Sequence, residues 1–138
     1  MEEVVRARGH EHVAATHEST LEVTSDDYLT PAGDCILGIE ADRVPADFAD
    51  AFVAACQDAS ATIELALEAG GHREVVTGRG DPALTFENER SLVCRTSDYV
   101  DDRTVMVEAD AAAADLDRDL VAALAASEPL TTTLRVES

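Results

Sequence analysis

The sequence predicts a mainly β domain with two helices, an α+β arrangement in which a curved antiparallel sheet or compact sandwich carries the helices. Three observations lead there. Residues 3 to 24 alternate apolar and polar side chains with a period of two. Gly70-Gly71 separates two further alternating runs, as a hairpin turn does. Two stretches, 45 to 57 and 111 to 126, carry apolar residues at helical spacing. Strands and helices do not alternate regularly, so a doubly wound parallel sheet is not expected.

The elements follow in order. In the first run Val5, Ala7, Val13, Ala15, Leu21 and Val23 share one face, with Gly9 and Glu18-Ser19 as breaks. Residues 25 to 34 are a turn-rich loop, and Pro31-Ala32-Gly33-Asp34 fits a turn with positive φ at Gly33. Cys35 to Ile39 is apolar on both faces, as a central strand is. Pro45 opens the first helix, where its missing N–H costs nothing, and Phe48, Phe52, Ala55 and Cys56 form its inner face. Ile63, Leu65 and Leu67 alternate before Gly70-Gly71, and Val75 and Val76 return the chain. Leu84 and Phe86, then 91 to 97, 103 to 108 and 131 to 136, give further short strands. The second helix spans 111 to 126, with Asp110 as its cap and Ala113, Leu116, Leu120 and Leu124 inward. No internal repeat or low-complexity linker is apparent.

At 138 residues the chain is expected to be one domain, 1–138. Its 29 acidic and 10 basic residues give a formal charge of −19, and every basic residue is arginine. Acidity spread through every segment points to a halophilic, salt-filled cytoplasm rather than to a decoy for a basic partner. Long-range steering is weak there, since the Debye length at 1 M salt is about 3 Å. Nucleic acid is a poor fit: basic surface is scarce and only five aromatics are present. No apolar run reaches the roughly 20 residues of a membrane helix, and residues 1 to 12 do not resemble a signal peptide, so a cytoplasmic location is expected. Cys35, Cys56 and Cys94 show no C-x-x-C spacing and read as reduced thiols. The oligomeric state is not legible.

Two site readings follow. Arg6, Arg8 and His10 lie at steps of two, and Arg95, Ser97 and Arg103 flank an acidic loop. Arginine captures carboxylate or phosphate in bidentate fashion, and such fitted contacts outlast diffuse charge in salt. These six are the candidate binders of a small anionic ligand or a partner. The alternative is an enzyme using His10, His17, Glu22 and Asp34. No cofactor is predicted, although His10, His17 and Cys35 are the candidate ligands if a zinc-like metal is bound. His17 shares parity with Val13 and Ala15, so it should be at least nearly buried and hydrogen-bonded to Glu22, Asp34 or a carbonyl.

Two stretches carry a resemblance. Gly9-His10, His17, Thr20, Glu22, Thr24, Leu29-Thr30 and Gly33-Asp34-Cys35 form one. Arg95, Ser97-Asp98, Asp102-Arg103-Thr104, Ala109-Asp110 and Asp115-Leu116 form the other. Their order and spacing resemble the archaeal domain of unknown function 371. The resemblance implies an archaeal source and a β-sandwich-like fold, and it brings no activity. The chain departs from that pattern at His12, Thr96 and Ala111, which weighs against a required role for His12.

Overall fold

The computed structural model describes residues 1–137. Eight strands form two four-stranded sheets, and two short helices complete an α+β fold. The strands are β1 (Glu2–Arg8), β2 (Thr20–Thr24), β3 (Ile36–Gly38), β4 (Thr62–Ala69), β5 (His72–Arg79), β6 (Ser91–Arg95), β7 (Thr104–Met106) and β8 (Pro129–Glu137). The helices are α1 (Asp50–Cys56) and α2 (Arg118–Ala125).

The first sheet runs β1-β8-β4-β5 and is antiparallel throughout. The second runs β3-β2-β6-β7; its central pair is antiparallel and its two outer pairs are parallel. Single bridges, Arg8 to Ile39 and Arg79 to Val107, tie the sheets at two corners without closing a barrel. Leu21, Leu37, Leu65, Leu92, Met106 and Leu134 fill the space between them. Phe48, Phe52 and Phe86 cluster beside α1, with Phe52 edge to face against each of the other two.

The order of elements repeats. Residues 2–69 run strand, long loop, strand, strand, 3-10 turn, helix, strand, and 72–137 run the same course. Atomic details repeat with it. The Arg8 to Glu40 ion pair has its counterpart in Arg79 to Glu108. Asp42 accepts from the Arg6 amide as Asp110 does from that of Thr77. Glu3 accepts from Ala49 at the start of α1, and Glu74 from Asp117 at the start of α2. Ala15 and Phe86 take φ of 50° and 53°, and Glu40 and Glu108 take 56° and 50°. Between β2 and β6, Thr20 faces Arg95 as Ser91 faces Thr24, so a pseudo-two-fold axis passes between Glu22 and Val93. The expectation of no internal repeat is therefore wrong.

Other expectations need correction. The alternating run breaks at Gly9, and no strand resumes before Thr20. Val13 and Ala15 are buried all the same, from a loop that folds inward. Leu84 and Phe86, their counterparts, are likewise buried loop residues and not a strand. Each helical stretch is bent into a 3-10 turn and a shorter α-helix, because Phe48 and Leu116 adopt extended backbone that turns their side chains into the core. The cap of α2 is Asp117; Asp110 instead bonds to β5. The strand containing Ile36 lies at an edge of its sheet, not in the centre. Gly33 has no positive φ, so its turn needs no left-handed residue; Gly70 and Gly71 are the glycines that do, at 57° and 82°.

Candidate binding surface

Strand parity sets the chemistry of the second sheet. Leu21 and Val23 on β2, with Leu92 and Cys94 on β6, point into the core. Thr20, Glu22, Thr24, Ser91, Val93 and Arg95 therefore line the outer face. Parallel strands cannot be joined by a tight turn, so each of β2–β3 and β6–β7 needs a longer crossover. These crossovers, residues 25–35 and 96–103, fold over the face and bury Thr24, Ser91, Val93 and Thr104.

An ionic network lies between the crossovers. Asp101 accepts from the guanidinium of Arg95 at 2.9 Å and from that of Arg103 at 3.0 Å. Arg95 also donates to Thr104 at 2.8 Å and lies 4.8 Å from the centre of the Tyr99 ring. Arg103 reaches back to Glu22 at 3.8 Å, with its own side chain 40 % exposed. Cys35 donates to the same carboxylate at 3.7 Å. Along the strand, Arg90 pairs with Asp26 at 2.6 Å. Burial raises the Asp101 pKa, yet hydrogen bonds from Arg103 and the charge of Arg95 outweigh it and hold the group at about 2.

Burial, with the nearby Glu22 carboxylate, pushes the Cys35 thiol up to about 11, so it is protonated and weakly nucleophilic at neutral pH. Cys56 and Cys94 are raised to about 12, chiefly by burial. All three are free.

The six candidate anion binders separate into two places. Arg8 is committed to Glu40 at a corner between the sheets. Arg6 is exposed on β1 and makes no ion pair among the described residues. His10 accepts from the His12 amide at 3.0 Å, and the two rings lie 5.0 Å apart at a tilt of 50°. Arg95 and Arg103 share Asp101, and Ser97 is exposed nearby, accepting from the Tyr99 amide.

Of the alternative set, His17 is half-buried, and its Nδ1 accepts from the amides of Ser19 at 3.2 Å and Thr20 at 3.1 Å. Its partners are thus neither carboxylates nor a carbonyl. Asn88, in the second half, does the same for Arg90 and Ser91, both at 2.8 Å, so His17 closes a turn. The Asp34 carbonyl meets the His17 amide, but no side-chain hydrogen bond joins any two of His10, His17, Glu22 and Asp34 among the described residues. Nor do the described residues bring three or more of His, Cys, Asp or Glu into a metal-binding group.

Sequence reasoning missed Arg90, Asp101, Tyr28 and Tyr99. The two tyrosines occupy equivalent loop positions and are 56 % and 59 % exposed; with Met1 they are the exposed large apolar side chains among the described residues. The signal was present in Asp27-Tyr28 and Asp98-Tyr99, the same dipeptide at the same place in each crossover.

The family model described as "Domain of unknown function (DUF371)" matches residues 5–137. The chain belongs to the DUF371 family. An uncharacterised protein of the archaeon Methanocaldococcus jannaschii is 39 % identical over 121 residues, covering 88 % of this chain and 89 % of that protein. The DUF371 match takes in both halves of the repeat and the whole of the ionic face. No helix in the described structure is long and apolar enough to cross a membrane.

Proposed function

We propose that this protein is a binding protein that receives an anionic group, from a small ligand or a partner, on the outer face of its second sheet. Arg103 makes the contact, and Arg95 and Asp101 hold it in place. One observation carries this reading. Where the fold needs a contact, the two halves keep it: Arg8 and Arg79, Glu40 and Glu108, Asp42 and Asp110, Glu3 and Glu74. On this face they do not. Glu22, Arg95, Arg103 and Asp101 stand where the other half has Val93, Thr24, Cys35 and Gly33. Charge that folding does not require in one half has a use of its own in the other.

Two further arginines support the assignment. Arg43 binds Glu3 and the carbonyls of Val4 and Asp47, and Arg118 binds carbonyls of Leu116, Ala113 and Ala15. Both are structural. The setting that suits the composition is the salt-rich cytoplasm of an archaeon, where a bidentate arginine contact holds better than diffuse charge.

The test is a titration of the full chain with inorganic phosphate in molar potassium chloride, followed by the arginine side-chain N–H signals. Arg103 should shift saturably, Arg103→Gln should weaken binding at least fivefold, and Arg6→Gln should leave it unchanged. Equal binding by Arg103→Gln and the wild type would overturn the reading.

A further inference from the structure

The internal repeat supplies a comparison within one molecule. In the second half a guanidinium sits over an aromatic ring: Arg95 lies 4.8 Å from the centroid of Tyr99. The first half has the same tyrosine at the same loop position, Tyr28, equally exposed. The position equivalent to Arg95 is Thr24, whose side chain is too short and too buried to reach a ring in solvent. Among the described residues no arginine is stacked on Tyr28. Asp27, exposed, precedes it, and Asp26 is held nearby by Arg90.

An exposed aromatic ring is not neutral toward its surroundings. Its face attracts a cation, and arginine, planar and weakly hydrated, is suited to lie on it. The three phenylalanines are all placed in the core. The chain thus keeps its two remaining aromatics outside, one at each crossover, one with a guanidinium on its ring and one without. Tyrosine and arginine are also the residues on which protein interfaces concentrate their binding energy.

We infer that Tyr28 is the receptor for an arginine side chain of a partner protein, which stacks on it from outside as Arg95 stacks on Tyr99 from within. The inference rests on the preceding reading for the face being a binding surface, and it names the partner class. A protein segment carrying both an acidic and an arginine side chain would meet Arg103 with the first and Tyr28 with the second. Asp27, exposed beside Tyr28, suits a guanidinium at direct contact, where salt screens least. The contact is short-ranged, so molar salt leaves most of it in place.

Two tyrosines make the test clean, because only two sets of tyrosine ring signals exist. The full chain is titrated in molar potassium chloride with a blocked Gly-Arg-Gly peptide and with its lysine counterpart. The Tyr28 ring protons should shift saturably with the arginine peptide and less with lysine, while those of Tyr99, which already has Arg95 on one face, should shift little. Tyr28→Ala should weaken binding about fivefold. In Arg95→Thr, which copies the first half, Tyr99 should begin to respond. Equal response of both rings in the wild type, or response of neither, overturns the inference even if Arg95→Thr fails to fold. The phosphate response of Arg103 is read in the same samples. Its loss alone removes the anion contact and leaves the tyrosine result standing.

Discussion

Replacing Gly80 with alanine tests both the packing and the internal two-fold. A Cβ at Gly80 would lie 2.1 Å from the Cys56 carbonyl oxygen and 2.6 Å from that of Asp58, at the end of α1. A Cβ at Gly9, the equivalent position, would lie 2.0 Å from the Leu124 carbonyl oxygen, at the end of α2. Carbon and oxygen settle at about 3.3 Å, so either helix end must retreat by roughly 1 Å. The obstacles are backbone, and both glycines are pinned: Gly80 donates to Ala61 at 3.0 Å and Gly9 to Glu128 at 2.8 Å. Overpacking of this kind costs about 1–3 kcal/mol, and here the upper end applies. That corresponds to a fall in melting temperature of roughly 10 °C for a domain of this size. Urea unfolding in molar potassium chloride, followed by far-ultraviolet circular dichroism because the chain lacks tryptophan, measures it. Gly71→Ala is the control: its φ is 82° with nothing within 4 Å, so it should lose only about 1 kcal/mol from the left-handed backbone. The reasoning is refuted if Gly80→Ala stays within about 0.5 kcal/mol of the wild type, the ordinary range of surface changes. It is also refuted if Gly9→Ala and Gly80→Ala differ widely.

Three further outcomes are expected. The Asp101 pKa lies below its ordinary value, so its stabilising contribution is present above pH 4 and is lost as pH falls through about 2. Asp101→Asn should cost about 2 kcal/mol at pH 7 and flatten the acid limb of a stability-against-pH curve; an unchanged acid limb would contradict this. The Thr132 hydroxyl is buried without a partner, so Thr132→Val should stabilise by about 1 kcal/mol in the same urea assay, whereas a loss would reveal an unseen acceptor. With a formal charge of −19, the melting temperature should rise between dilute buffer and molar potassium chloride, and equal values would remove the electrostatic argument.

Sequence patterns reveal this fold where side-chain period and backbone agree. The β4–β5 hairpin, β6 and β8 follow directly from alternation and from Gly70-Gly71. They mislead where loops bury apolar residues with a strand-like period. Val13 and Ala15, and Leu84 and Phe86, alternate inward, yet Ala15 and Phe86 turn the chain with a left-handed backbone that neither residue advertises. The repeat was readable in Ile39-Glu40-Ala41-Asp42 against Val107-Glu108-Ala109-Asp110, and in Arg8-Gly9 against Arg79-Gly80. Beyond these and the Asp27-Tyr28 and Asp98-Tyr99 dipeptides little matches, because the contacts that fix this topology are few and the core accepts any apolar residue of suitable size. On the face, Arg95 and Arg103 were legible as cations beside an acidic loop. Asp101 as their shared acceptor was not, since the loop holds Asp98, Asp101 and Asp102 and its fold decides which of them faces the two guanidinium groups.

The position of β8 has a consequence for how the protein is made. It lies between β1 and β4, pairing with Glu2–Arg8 on one side and Thr62–Glu68 on the other. A ribosome releases β1 early and Pro129–Glu137 more than a hundred residues later. Until then the first sheet has a gap at its centre, and both flanking strands expose unpaired edges that invite other nascent chains. The strand of the first sheet that is made last is therefore also the one that joins it. Glu64 and Glu68 give the waiting edge of β4 a like charge that keeps neighbouring chains apart, whereas Glu2 and Glu3 on β1 are balanced by Arg6 and Arg8.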